Sequence, residues 1–108
     1  MKMDSVIAAL GALAQEHRLQ LFRLLVRTGS GGLPAGRIAG ELGVPNSSLS
    51  FHLAQLQEAG LITQRREGRS LIYAADYAAM DALMGFLTEN CCGGEDCEVS
   101  PSPACKEA

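Results

Sequence analysis

The sequence predicts a mainly α-helical domain that carries one small β-hairpin. Three observations carry this. Apolar residues recur at helical spacing in four separate stretches, and Gly and Pro stand between successive segments. One segment, from Leu61 to Ala74, instead breaks into two short runs around Glu67-Gly68. The 108 residues bound the chain to one domain, and 47% apolar content argues against a disordered one. With 5% aromatic residues and no Trp, the core must be built from Leu, Ile, Val, Met and Ala.

The elements follow in order. Met3, Ile7, Leu10 and Ala14 share one face of a first helix. Residues 16–28 form a second, with Leu21, Phe22, Leu25 and Val26 on its apolar side and Arg18, Arg23 and Arg27 left to solvent. Glycines at 29, 31 and 32 end it. Pro34 suits the first turn of a third helix running to about Leu42. Gly43 closes that helix, and Pro45 is preorganised to open a fourth, with Leu49, Leu53 and Leu56 as its apolar stripe until Gly60. Residues 61–66 and 69–74 then form a hairpin turning at Glu67-Gly68. Asp76 caps a last helix whose apolar positions are Tyr77, Met80, Leu83, Met84 and Leu87. This gives a folded domain over residues 1–90 and a flexible tail over 91–108, where Gly, Ser, Pro, Cys and acidic residues leave nothing to pack.

Charge divides unevenly as well, at the start of the last helix. The net −3 conceals eight basic against six acidic side chains in residues 1–77, and one against six in residues 78–108. The body is therefore +2 and the remainder −5, which suits an anion-binding body with an acidic tail. No apolar run approaches the ~20 residues that span a bilayer, so no membrane is expected. The apolar stretch from Val6 to Ala14 lies behind Lys2 and ends like a cleavage site, but Asp4 and the helical spacing oppose a secretory leader. The expected location is cytoplasmic, where the four cysteines stay reduced.

Two short helices across a glycine turn, followed by a basic hairpin, describe a winged helix-turn-helix whose second helix enters the DNA major groove. Asn46, Ser47, Ser48, Ser50 and Phe51 lie off the Leu49/Leu53/Leu56 stripe and are the candidates to meet bases. Asn pairs bidentately with adenine, Ser bonds bases or phosphate, and Phe touches a thymine methyl. Arg65, Arg66 and Arg69 at the hairpin tip suit phosphates or a minor groove. Taken singly these residues are ordinary helix starts and a solvated turn; their order makes the pattern. His52 falls beside Leu49 and Leu56 and is expected to be packed or hydrogen-bonded. An enzyme is not indicated: there is no phosphate-cradling Gly loop, no Cys-x-x-Cys, and no nucleophile set with its base.

Residues 41–62, with the Ser-x-His-Leu-x-x-Leu and Glu-Ala-Gly-Leu core, followed by Arg65-Arg-Glu-Gly-Arg69 and Tyr73, resemble the ArsR (ArsR/SmtB) family of winged-helix repressors over about residues 5–90. The resemblance implies a homodimer on double-stranded, inverted-repeat operator DNA, with the first and last helices as the dimer interface. The apolar faces of those helices agree, exposing more Leu and Met than a lone small chain favours. It also implies an inducer, but the family's sites vary. The Cys-x-Cys site of familiar arsenic sensors has no counterpart in residues 41–46, and residues 75–90 hold no His for the family's zinc site.

All four cysteines, Cys91, Cys92, Cys97 and Cys105, fall in the tail. Cys91 and Cys92 with Cys97, after a Gly-Gly bend, match the three sulfurs that trivalent arsenic takes, as in family members with a C-terminal Cys-Cys…Cys set binding As(III) or Sb(III). No organic cofactor is expected. A four-thiolate zinc, cadmium or lead site would recruit Cys105 as well. A thiol redox switch is the third reading, which the acidic neighbours Glu95, Asp96 and Glu98 oppose by raising thiol pKa.

Overall fold

The computed structural model describes residues 1–89. Five helices and three short strands succeed one another: α1 (Met3–Leu13), α2 (Glu16–Thr28), β1 (Leu33–Pro34), α3 (Ala35–Leu42), α4 (Asn46–Glu58), β2 (Ile62–Glu67), β3 (Ser70–Ala75) and α5 (Tyr77–Leu87). The strands form one antiparallel sheet in the order β1-β3-β2.

The helix punctuation works as the residues dictate. Gly43 closes α3 in a left-handed conformation, φ 68°. Pro34 and Pro45 sit one position before the expected first turn, as the extended N-cap residues of α3 and α4. Asp76 caps α5, its carboxylate accepting from the Ala79 amide at 3.0 Å. The Tyr77 hydroxyl then donates to the Val26 carbonyl at 2.8 Å, tying the start of α5 to the end of α2.

Three details differ from the sequence reading or add to it. The hairpin turns one residue later than expected: Glu67 pairs with Ser70, so the two-residue loop is Gly68-Arg69. Gly68 has φ 63°, a conformation that favours glycine over glutamate as the first loop residue. Strand β1 is an addition. Its two residues lie opposite Tyr73 and Ile72, and an edge position tolerates Pro34 because no ladder bond is asked of it on its outer side. The third detail is the inward side of α1, which the sequence reading leaves unnamed. Val6, Ala9 and Ala12 turn into the core, while the Met3/Ile7/Leu10 stripe stays 41–60% exposed, in keeping with the exposed face expected of this helix.

That core joins Leu21, Phe22 and Leu25 of α2, Ile38 of α3, and Leu49, Leu53 and Leu56 of α4 to Leu61, Ile62, Tyr73, Ala75 and Leu83. Every helix therefore buries one side against α4 or its neighbours. On α5 only Leu83 is buried, while Met84 and Leu87 remain exposed at 56% and 54%. No helix among the described residues is long and apolar enough to cross a membrane.

Candidate nucleic-acid interface

Helix α4 is held from behind and open in front. Leu49, Leu53 and Leu56 are at most 3% exposed, which fixes the rotation of the helix about its axis. Asn46, Ser47, Ser48, Ser50 and Phe51 all face solvent as a consequence. Pro45 offers no side-chain cap, so the first-turn amides of α4 are left to partners from outside and its positive end suits a phosphate.

The hydroxyl of Ser50 donates back to the Asn46 carbonyl at 3.1 Å. Its proton is committed, and its lone pairs remain to accept from a base amino group. Phe51 is 58% exposed. It lies edge-on to His52, with the Arg18 guanidinium 6.0 Å from its ring centroid.

The hairpin arginines are not equivalent. Successive strand residues point to opposite faces, so Arg65 and Arg66 diverge. Arg65 bonds Glu67 through Nε at 2.7 Å and the carbonyls of Ser30 and Gly31 at 3.3 and 2.6 Å. It therefore braces the wing against the loop before β1. Arg66 and Arg69 are exposed and form no ion pair among the described residues, so their charge is free for an outside anion.

The helical spacing of α2 suggests a solvated Arg18, and the structure corrects this. Arg18 is half-buried: its Nε donates to the Ala12 carbonyl at 2.6 Å and its Nη1 lies 3.5 Å from Nδ1 of His52. His52 is buried, in keeping with its place on the leucine stripe. Desolvation, then the fields of Arg18 and His17, hold its pKa below the usual imidazole value. The sequence signal for Arg18 is indirect: a histidine on an apolar stripe needs a polar partner, which an arginine elsewhere in the chain supplies.

A shallow depression of about 240 Å³ between α2 and α3, lined by Gln20, Arg23, Leu24, Arg27, Glu41 and Leu42, is open to solvent. The described residues contain no group of three or more His, Cys, Asp or Glu placed to hold a metal ion. The expected thiol site at Cys91, Cys92, Cys97 and Cys105 lies outside the described residues.

A buried-backed helix presenting Asn and Ser beside a hairpin with free arginines defines a winged helix-turn-helix DNA-binding module. Comparison with known proteins agrees. Residues 13–65 match the helix-turn-helix domain family. The chain is 34% identical over 87 residues to the HTH-type transcriptional regulator CmtR of Mycobacterium tuberculosis, covering 80% of this chain and 71% of that protein. It is 36% identical over 85 residues to a putative arsenical resistance operon repressor, ArsR, of Halobacterium salinarum, covering 79% and 64%. Among solved structures it is similar to the homodimeric winged helix-turn-helix DNA-binding domain Mb0332 of Mycobacterium bovis, with a TM-score of 0.64, 28% identity and 90% of each chain covered. The chain belongs to the ArsR family of winged-helix transcriptional regulators, DNA-binding proteins rather than enzymes.

Proposed function

We propose that the protein is a homodimeric repressor that leaves its operator when trivalent arsenic or antimony is bound by Cys91, Cys92 and Cys97. The DNA-binding part is carried by one observation: α4 buries its leucine side and shows Asn46, Ser47, Ser48, Ser50 and Phe51 to solvent. Asn46 and Ser50 read base edges, and Arg66 and Arg69 hold phosphates. Arg65 stands by as the brace that orients the wing.

The dimer forms through α1 and α5. Met3, Ile7 and Leu10 on one helix and Met84 and Leu87 on the other are large apolar side chains left 41–60% exposed, and a second copy covers them. This would set the two α4 helices about one DNA turn apart, ~34 Å.

What supports the arsenic assignment is the donor set, four thiols in residues 91–105 and none elsewhere, together with the similarity to an arsenical resistance repressor. Three thiols displace three hydroxyls from neutral arsenous acid, leaving a neutral site that tolerates acidic neighbours. Three residues separate the end of α5 from the tail, so gathering the tail thiols would strain the helix that holds the dimer and change the spacing of the two reading helices. A coupling of ~1–3 kcal/mol is usual for such effectors.

The test is titration of arsenite, zinc and cadmium into the operator complex. Arsenite is expected to release DNA from the wild type and from Cys105→Ser, and from a chain truncated after Val99. Cys91→Ser, Cys92→Ser and Cys97→Ser are expected to bind the operator and ignore arsenite. Cys105 is the observation that favours a second reading, because it offers a fourth thiolate for a divalent soft ion. Loss of response in Cys105→Ser, with cadmium or zinc as the effective ion, would establish that reading instead.

A further inference from the structure

We propose that Arg18 is the positioning residue that locks the recognition helix to the corner between α1 and α2, and that it acts through a neutral His52, which makes sequence-specific DNA binding sensitive to pH. The proposal rests on α4 as the helix that reads DNA.

One side chain meets three elements. Arg18 lies in the first turn of α2, where its own amide donates to the Gln15 side-chain oxygen that caps the helix, at 3.0 Å. Its Nε donates to the Ala12 carbonyl, one of the α1 carbonyls left without a helical partner. Its Nη1 reaches His52 Nδ1 on α4, and its Cζ stands over Phe51, the neighbour of His52 on the exposed face. The end of α1, the start of α2 and the DNA-facing side of α4 are thereby joined by one guanidinium. If α1 holds the dimer, this bridge fixes where α4 sits relative to the dimer axis.

The chemistry of the bridge is one-sided. A guanidinium has donors and no acceptor and keeps its charge, so its contact requires the lone pair of His52 Nδ1. His52 must then be neutral with its proton on Nε2. Protonation would replace the acceptor by an N–H and set a positive ring beside a positive guanidinium. Among the described residues, the charged and titratable groups acting on His52 are Arg18 and His17, both from α2, with the His17 ring centroid 5.6 Å away. From α1 comes the Ala12 carbonyl, already taken by Arg18. Burial and these two groups lower the His52 pKa from its model-peptide value of 6.5. The sign follows: the stability of the neutral packed ring is present above that value and is lost as pH falls from it toward the depressed folded pKa. The wing arginines Arg66 and Arg69 take no part, so binding to phosphates alone is spared.

The experiment measures affinity of the full chain for operator and for random duplex between about pH 7.5 and about pH 5.5, at several salt concentrations. For the wild type, the operator-to-random ratio is expected to fall about tenfold toward low pH. His52→Asn, whose amide does not titrate there, should give a ratio that no longer changes with pH, whatever its high-pH value. Arg18→Lys should lower the ratio about tenfold at high pH, flatten its pH dependence and leave the salt slope unchanged. A loss of about one unit of salt slope with both duplexes weakened alike would make Arg18 a phosphate contact and overturn the proposal. So would an unaltered pH profile in His52→Asn. A third arm needs no DNA: nitrogen chemical shifts of the free wild-type protein should show His52 neutral, protonated on Nε2. A proton on Nδ1 at neutral pH would overturn the bridge alone, whereas failure to bind any duplex would overturn the DNA-binding reading alone.

Discussion

Helix α4 and the tip of the β2–β3 hairpin both present candidate DNA contacts, yet they are built in opposite ways. Four of the thirteen residues of α4 are buried, spaced so that one whole side is gripped. Along β2 only Ile62 is buried and the next five residues are exposed. A gripped helix keeps its side chains in register with base edges, which have a fixed donor and acceptor pattern. An exposed strand tip holds charge near a backbone that is the same at every base pair. We propose that this difference gives sequence recognition to the helix and sequence-independent attraction to the wing.

The largest break in this comparison is expected inside α4. Leu56 is fully buried, and Leu56→Ala should cost about 2–5 kcal/mol of stability by denaturant unfolding. Leu71 on the hairpin is 37% exposed, and Leu71→Ala should cost well under ~1 kcal/mol. Equal costs would contradict a gripped helix and an exposed wing tip. Gly32→Ala should come next. With φ 71°, a Cβ there would run into the Tyr73 carbonyl and the Ile72 side chain, forcing β1 off the sheet. A loss of about 1–3 kcal/mol in thermal unfolding is expected, with the wing loosened. Asp76→Ala removes the α5 cap and should cost about 1 kcal/mol. The smallest effect is at Arg65. Its pair with Glu67 is exposed, so Arg65→Ala should change global stability by less than ~1 kcal/mol. Amide exchange at the tip should nevertheless quicken, because the ties to Ser30 and Gly31 are gone.

The same contrast explains what the amino-acid sequence reveals and what it hides. The leucine stripe of α4 is local and periodic, so its buried side, its exposed Asn and Ser, and the buried His52 are all legible in the order of the residues. The closing Gly43 and the cap at Asp76 are legible for the same reason, since each depends on a single residue's conformation or side chain. Strand β1 is not, because two residues carry no period and their pairing with Ile72 and Tyr73 is set almost forty positions away. The inward side of α1 is hidden by its composition. Ala9 and Ala12 pack where small side chains allow close approach, and the larger Met3, Ile7 and Leu10 are left outside. Arg18 is hidden too, because a charged side chain on a helix is ordinarily solvated, and the carbonyl and imidazole that draw it in come from other elements.

The division of labour between helix and wing is tested most directly by measuring duplex preference and salt dependence together for Asn46→Ala and Arg69→Ala. Asn46→Ala is expected to relax the choice of base at one operator position by about 1–3 kcal/mol and keep the salt slope. Arg69→Ala is expected to weaken operator and random duplexes alike and reduce the slope by about one. If Arg69→Ala altered the preferred sequence while Asn46→Ala weakened all duplexes equally, the assignment of recognition to α4 would be wrong.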